Sequence, residues 1–237
     1  MKLLVTRPEA DNAALARSLA ALGHETISAP LLSIRFLDNA GLPSRNWQAL
    51  LITSANGARA LGRRADADAL KAISVFTVGQ ASAEAMAQEG FAHITAAGGD
   101  VAALAVLVAS QLRPEAGPLL HVTGSVVAGD LGGSLAARGF EVVRAILYEA
   151  EKVQRLPDAA REALATGSLD GVLLHSPRTA RLFASLVTEA GLQGKLEGVT
   201  AYCLSAAVAE ALAGLPMLTV RISPEPTQAA LLALISA

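Results

Sequence analysis

The chain has few of the residues and runs that mark several common protein classes. Its 237 residues include one cysteine, Cys203, so no intramolecular disulfide can form and redox chemistry is not supported. Cys203 stands in an apolar stretch, residues 199–204, which predicts a buried strand residue and not a nucleophile. No apolar run reaches the roughly 18 residues that cross a bilayer, and charge and proline follow too soon at the N-terminus for a signal peptide. We therefore expect a cytoplasmic protein.

The chain also has no large excess of positive or negative residues. The formal net charge is −2 and aromatic residues make up only 3% of the chain. The chain therefore has no general basic surface, and no cluster of aromatic and basic side chains that could stack on and neutralise a nucleic acid strand. We expect neither nucleic acid nor membrane as a partner. An anionic ligand would have to be held locally, by arginines and helix N-termini.

Motifs for nucleotides, hydrolysis and metals are missing as well. Thr6, Arg7 and Pro8 stand where a dinucleotide site would need G-x-G-x-x-G, and neither a P-loop nor a G-x-S-x-G turn occurs. The histidines are scattered singly, without metal-ligand spacing: His24, His93, His121 and His175. We expect a structural role for each of them, and His175, beside Ser176, is the first to test.

What the chain does have is a regular alternation of strands and helices. Hydrophobic residues make up 52% of it, mostly Ala, Leu and Val, as expected for helices packed on buried parallel sheets. Ten strands are predicted, at residues 2–5, 25–29, 49–52, 75–78, 93–95, 118–122, 142–147, 171–174, 200–204 and 218–222. The length suits two domains, so the fold class is α/β with parallel sheets of five strands each. Residues 31–37 and 145–150 fit neither pattern and are either extended connectors between domains or plain strand extensions or loops.

Two pairs of similar stretches support two related domains. Residues 50–61 match 172–183, and in both an apolar strand is followed by a serine, Ser54 or Ser176, and a helix start. Each serine can cap its helix, and each can also contact a ligand beyond the carboxyl end of its strand, so both interpretations stay open.

The second pair of stretches is residues 76–87 and 202–213. When the two stretches are aligned, Gly79 corresponds to Ser205 and Ser82 corresponds to Val208. A turn at residues 122–125 and an N-cap at Asp100 are also predicted.

Taken in order, several pieces resemble the uroporphyrinogen-III synthase family over essentially the whole chain. The pieces are Val5-Thr6-Arg7-Pro8, Pro30, Trp47, Ile52-Thr53-Ser54-Ala55-Asn56-Gly57, Val78-Gly79, Gly124, Leu147-Tyr148-Glu149, Ser176-Pro177 and Ser205. The resemblance implies two flavodoxin-like domains with parallel five-stranded sheets, joined by a two-stranded linker. The first, discontinuous domain would be residues 1–33 with 150–237, and the inserted second domain residues 36–146.

The resemblance also implies a reaction. That family closes the linear tetrapyrrole hydroxymethylbilane to uroporphyrinogen III, with inversion of ring D and loss of water, in haem, sirohaem and cobalamin synthesis, and it uses no metal or cofactor. Loss of the terminal hydroxyl gives an azafulvene, which attacks the substituted carbon of the last ring to form a spirocyclic intermediate. Because the unassisted reaction closes without inversion, conformational control should matter more than nucleophilic groups.

The site residues are implied in the same way. Tyr148 matches the family's linker tyrosine, and a phenol, protonated at neutral pH, can donate a proton to the departing hydroxyl. The expected substrate-binding residues are Arg7, Thr53, Ser54, Ser82, Gly124, Ser176, Arg178 and Ser205. Ser82 stands where threonine is frequent in the family, and Val208 replaces a frequent hydroxyl residue.

The expected partners are the linear tetrapyrrole and hydroxymethylbilane synthase, which would transfer its product, and we expect a monomer. The main alternative is a two-lobed protein that binds a small molecule without catalysis, and the missing signal peptide counts against it. A receiver-like regulatory module is a further alternative. It would need a paired acidic cluster after the first strand, where Thr6 and Arg7 stand instead.

Overall fold

The structure is a computed structural model that describes residues 1–127, 129–216 and 218–236. The chain divides into two compact units. The first joins Met1–Ser33 to Glu151–Ala237, and the second is Ile34–Ala150.

Strands and helices alternate through most of the chain. In chain order the elements are β1 (Lys2–Val5), α1 (Glu9–Ala21), β2 (Glu25–Ser28), β3 (Leu32–Phe36), β4 (Ala49–Ile52), α2 (Ala55–Gly62), β5 (Ser74–Thr77), α3 (Gln80–Gln88), β6 (Ile94–Ala96), α4 (Val101–Gln111), β7 (Leu119–Gly124), α5 (Leu131–Ala136), β8 (Val142–Lys152), α6 (Asp158–Ala165), β9 (Gly171–Leu174), α7 (Pro177–Glu189), β10 (Thr200–Cys203), α8 (Ala206–Glu210), β11 (Thr219–Ile222) and α9 (Gln228–Ser236). Short 3₁₀ turns occur at Ala67–Leu70, Pro114–Ala116 and Gln193–Lys195.

The first unit contains a five-stranded sheet with the order β11-β10-β9-β1-β2. All four neighbouring pairs are parallel. Apolar side chains cover both faces: Leu4, Val172 and Cys203 pack on one face, and Leu3 and Leu173 pack on the other. The three strands in the middle are therefore almost fully buried, whereas β11 is exposed along its whole length at the edge.

The second sheet has six strands in the order β3-β8-β7-β4-β5-β6 and belongs to the second unit, except for residues 32–33 of β3 and 151–152 of β8, which belong to the first. The pairs from β8 through β6 are parallel. Leu50 and Leu120 lie in the core on one face, with Ala49, Leu51 and Leu119 on the other, as the two-residue period of a strand requires. A strand that is buried on both faces reads as a continuous apolar run, which is why these segments show no polar alternation in the sequence.

The predicted α/β class with two largely parallel sheets is confirmed, but the strand count was wrong. The described residues form eleven strands, and the second sheet has six strands where five were expected. The extra strand is β3, from the segment 31–37, which lies beside β8 in the sheet. The segment 145–150 is the continuation of β8, which is eleven residues long. Both segments are thus strands within a sheet.

Several helices begin as the sequence predicts. Ser54 accepts a hydrogen bond from the Asn56 N–H, and Ser176 accepts one from the Thr179 N–H. Asp100 caps α4 by accepting from the Ala103 N–H at 2.9 Å. The predicted turn at residues 122–125 was placed too early, because β7 continues to Gly124.

Candidate functional site

Polar residues follow three neighbouring strands of the first sheet where those strands end. Arg7 follows β1, His175 and Ser176 follow β9, and Ser205 follows β10. Because the three strands are parallel neighbours, their carboxyl ends lie at one edge of the sheet, where ligands of such folds bind. We call these four residues the first carboxyl edge.

Two of these residues begin helices. Ser176 Oγ lies 3.1 Å from the Thr179 amide nitrogen, from which it accepts, and 2.9 Å from Thr179 Oγ1. Arg178 is in the first turn of the same helix and is partly buried. Ser205 occupies the N-cap position of α8, but its hydroxyl makes no capping hydrogen bond there.

Arg7 is held by two side chains. Its Nη2 lies 2.9 Å from Asp11 Oδ2, and its Nη1 donates to Gln228 Oε1 at 3.2 Å. The Arg7 side chain is 23% exposed and the Asp11 side chain 10%. The guanidinium is therefore oriented and still reaches the surface.

His175 stands out because both of its ring nitrogens are buried without a hydrogen-bond partner among the described residues. Burial lowers the pKa of His175 to about 3, with a further lowering by Arg7 and an opposing effect of Asp11. The imidazole is therefore neutral at physiological pH. Leaving a buried polar atom unpaired costs about 1–3 kcal/mol, so this ring lowers stability where it lies.

The second sheet has a corresponding row of residues. Thr53 and Ser54 follow β4, Gly79 follows β5, and Gly124 ends β7. Strands β7, β4 and β5 are parallel neighbours, so these residues also lie at one edge. We call them the second carboxyl edge.

Two residues not predicted for the site support this edge from within the sheet. His121 Nε2 is 3.5 Å from Thr53 Oγ1, at the long limit of a hydrogen bond. Burial lowers the pKa of His121 to about 4, and the positive charge of Arg144 adds to that effect. Arg144 Nη2 donates to the carbonyl oxygens of Gly124 at 2.9 Å and Ser125 at 3.0 Å.

Tyr148 lies against Gly124. The two residues are paired between β7 and β8, and the tyrosine is 8% exposed. A Cβ atom on residue 124 would lie 2.8 Å from both Cε2 and Cζ of Tyr148 and 3.2 Å from its Oη. Only glycine leaves room for the ring in this position.

The expected site residues thus fall into two groups. The first unit contains Arg7, Ser176, Arg178 and Ser205, and the second contains Thr53, Ser54, Ser82, Gly124 and Tyr148. Ser82 differs from the others because it is the third residue of α3 and is only 6% exposed.

Three polar residues near the second carboxyl edge were not among the expected site residues: His121, Arg144 and Asn56. Asn56 is 9% exposed and accepts a hydrogen bond from Arg59 Nη1 at 2.8 Å. The signal for His121 was available, since a polar residue inside a buried apolar strand must be paired or functional. Arg144 carries no such signal, because alternation predicts a solvent-facing position for it.

The lone cysteine and the possible metal ligands were also located. Cys203 is confirmed as a buried strand residue, and burial raises the pKa of its thiol to about 11. Within residues 1–127, 129–216 and 218–236, no group of three or more His, Cys, Asp or Glu side chains could hold a metal ion.

Comparison with known proteins identifies the family. A family model described as uroporphyrinogen-III synthase HemD matches residues 13–233. The chain belongs to the uroporphyrinogen-III synthase family. No curated protein sequence matches the chain significantly.

Solved structures of uroporphyrinogen-III synthases have a similar fold. The enzyme from Helicobacter pylori 26695 is 17% identical with a TM-score of 0.61, over 99% of this chain and 98% of that one. A mutant enzyme from the extremely thermophilic bacterium Thermus thermophilus is 17% identical with a TM-score of 0.56, over 99% and 96%. At such low identity these likenesses show the fold alone. Among the described residues, no helix is both long and apolar enough to cross a membrane.

The neutral, buried histidines predict that acid destabilises this protein. In the unfolded chain each imidazole takes up a proton below pH 6.5, whereas folded His121 and His175 do so only near pH 4 and 3. The unfolded state therefore binds more protons, and each histidine lowers the free energy of unfolding by up to about 1.4 kcal/mol per pH unit below 6.5. Urea unfolding followed by circular dichroism at pH 7.5, 6 and 5 measures this slope.

His175→Gln should reduce the slope, and His93→Gln is the matched control because His93 is exposed. An acid slope that is the same in His175→Gln and in the unmodified protein would contradict the prediction.

Proposed function

We propose that this chain catalyses the reaction of its family, the closure of hydroxymethylbilane to uroporphyrinogen III with inversion of ring D and loss of water. The observation that carries the proposal is the family match over residues 13–233. Two carboxyl edges rich in hydroxyl groups and free helix N–H groups support it, since the substrate is a flexible chain of pyrroles that carries many carboxylates.

Tyr148 is proposed as the proton donor. Loss of the substrate's terminal hydroxyl as water needs a proton, and a phenol provides one at neutral pH. Its ring rests on Gly124 at the second carboxyl edge, largely shielded from water. A single donor in a fixed position suits a reaction whose outcome depends on which carbon of ring D is attacked.

The remaining expected residues are proposed to bind carboxylates. Ser176 and Ser54 accept from backbone N–H groups as helix caps. The hydrogen of Ser54 is not used in its cap and can be donated elsewhere, whereas Ser176 Oγ also lies 2.9 Å from Thr179 Oγ1, so one of these two hydroxyls donates to the other and the remaining hydrogen is the one proposed to reach a carboxylate. Ser205 makes no capping hydrogen bond, and its hydroxyl is proposed to donate to a carboxylate as well. Thr53 and Ser82 are proposed to donate in the same way, with Ser82 needing a local shift because it is buried.

Charge at the first carboxyl edge is proposed to come from Arg7 and Arg178. Arg7 is already paired with Asp11, which orients its guanidinium and leaves it partly exposed. A substrate carboxylate would then compete with Asp11 for one arm of Arg7. Gly124 is proposed to act through its backbone, since it has no side chain.

The two units are proposed to be the two domains of the family, with bounds close to residues 1–33 with 150–237 and 36–146. The flavodoxin-like description is supported in the first unit, whose strand order is that of flavodoxin. In the second unit β4 is central and β5 and β6 follow it outward on one side, which is the other common doubly wound order.

A monomer that receives its substrate from hydroxymethylbilane synthase completes the proposal. One chain contains both carboxyl edges, so no second copy is needed to provide the expected residues. Direct transfer would limit the unassisted closure that gives isomer I. A binding protein without catalysis is less well supported, because the family match is to a synthase.

An assay of product isomers tests the function. The purified protein, incubated with freshly generated hydroxymethylbilane, should yield mainly isomer III after oxidation and chromatographic separation of the porphyrins. Heat-denatured protein is the control and should give isomer I only. Formation of isomer I alone by the native protein would contradict the proposed function.

Tyr148→Phe should lower the turnover number for isomer III by about 10²-fold, in the range of a single general acid. The fold should remain intact because the ring is preserved. Tyr202→Phe is a matched control, since Tyr202 is the chain's other tyrosine and its hydroxyl donates to Met1 Sδ at 3.7 Å in the first unit. Equal turnover of the two variants would remove Tyr148 from the proton-transfer step.

Gly124→Ala should displace the Tyr148 ring, because the added methyl group would overlap two ring carbons at 2.8 Å. We expect a loss of isomer III formation of about tenfold or more and a destabilisation of about 1–3 kcal/mol from overpacking. Gly41→Ala is the control, as nothing lies within 4 Å of its added Cβ. Normal kinetics in Gly124→Ala would show that the ring's position on residue 124 does not matter.

A further inference from the structure

The exposure of side chains along β8 alternates and then breaks its alternation at the tyrosine. Arg144 and Ile146 are exposed, whereas Ala145 and Leu147 are buried, as the two-residue period of a strand requires. The next residue, Tyr148, should by this pattern be exposed on the side of Arg144 and Ile146. Instead it is buried in the same hydrophobic cluster as Ala145 and Leu147.

A β-bulge explains the change of face. Thr123 is paired with Ile146, and the next residue, Gly124, is paired with Tyr148, so Leu147 has no counterpart in β7. One extra residue shifts all later side chains to the opposite face of the sheet. The bulge therefore directs the Tyr148 ring onto Gly124.

Arg144 ties the two strands together at this bulge. Its Nη2 donates to the carbonyl oxygens of Gly124 and Ser125, the residue paired with Tyr148 and the one that follows it. In turn the Ser125 N–H donates to the carbonyl oxygen of Tyr148 at 3.1 Å. The Gly124 C=O and the Ser125 N–H belong to the same trans peptide and point in opposite directions. Fixing the Gly124 carbonyl therefore also orients the Ser125 N–H towards the Tyr148 carbonyl oxygen.

We propose that Arg144 is a positioning residue for Tyr148. It holds the Gly124–Ser125 peptide in the orientation that maintains the bulge, and the bulge keeps the phenol at the second carboxyl edge. This inference rests on the proposed function, in which Tyr148 donates the proton. Arg144 itself needs no contact with the substrate.

A purely electrostatic role for Arg144 is less consistent with its contacts. Its hydrogen-bond acceptors are two successive backbone carbonyls, those of Gly124 and Ser125. Without the guanidinium these two oxygens would be hydrated by water instead, and the Gly124–Ser125 peptide would be free to rotate. Lysine retains the charge and three donors on a side chain one bond shorter, so it should reach these carbonyls only in part. Methionine retains most of the apolar stem and no donor.

The experiment compares Arg144→Met, Arg144→Lys and the matched control Arg138→Met. Arg138 is also an exposed arginine of the second unit, and it donates to the Ser134 carbonyl at 2.6 Å, before β8 begins. We expect Arg144→Met to lower kcat for isomer III about tenfold with KM changed less than about twofold, Arg144→Lys to restore part of the loss, and Arg138→Met to match the unmodified protein.

A double-mutant cycle separates positioning from an independent role. If Arg144 acts through Tyr148, Arg144→Met should cost less than about twofold when added to Tyr148→Phe. A further tenfold loss in that background, or an effect on KM alone, would overturn the inference. The unmodified protein measured in the same assay reports on the proposed function separately, since formation of isomer I alone would refute that function first.

A structural measurement keeps the inference testable without activity. The chain has only two tyrosines, so ¹³C-tyrosine labelling gives two sets of ring signals in NMR spectra, and Tyr148→Phe assigns them. Arg144→Met should shift the Tyr148 signals and leave those of Tyr202 in place, whereas Arg138→Met should shift neither. Unshifted Tyr148 signals in Arg144→Met would refute the positioning role. Equal shifts of both tyrosines would refute it too, because they would show that Arg144 supports the fold in general and does not act specifically on Tyr148.

Discussion

Parallel pairing of short buried strands is the constraint on which the rest of this chain depends. Neighbouring parallel strands end at the same edge of the sheet, so residues that are distant in sequence lie in one row there. Ser176 and Ser205 are separated by helix α7 and a 3₁₀ turn, yet they follow adjacent strands. Because both faces of these strands are buried, the edge is also where polar side chains can reach water without a large desolvation cost.

A serine at such an edge serves two purposes without conflict. As a helix cap its oxygen accepts from a backbone N–H, which contributes about 1 kcal/mol to stability. The hydroxyl hydrogen is not used in that bond; at Ser54 it is available to a carboxylate, and at Ser176 one hydrogen of the Ser176–Thr179 hydroxyl pair is available. For Ser54 and Ser176 the structural and the ligand-binding interpretations are therefore compatible, and a stability effect on substitution would not by itself decide between them.

The features that could be predicted from sequence are those set by local chemistry. Apolar runs predicted nearly all of the strands, and the caps at Ser54, Ser176 and Asp100 followed from side-chain oxygens just before helical patterns. The sequence could not decide between a connector and a strand for residues 31–37, because the five residues of β3 have mixed polarity and become a strand only when β8 lies beside them. The position of His121 within a buried strand was visible in the sequence, but its partner was not, since its contact with Thr53 joins residues on separate strands.

The orientation of the Tyr148 side chain cannot be predicted from the local sequence pattern. Alternation along β8 predicts that this ring faces the same side as Arg144, and one unpaired residue in the register reverses that. The reversal depends on contacts across the sheet: a glycine at position 124 that leaves space for the ring, and a guanidinium that holds the following turn. A reaction whose product is decided by the conformation of a flexible substrate needs a donor held in one place more than it needs a strong acid. In the proposed mechanism the backbone register at Tyr148 provides that control, which would account for a site with few charged groups and no recognisable catalytic motif in its sequence.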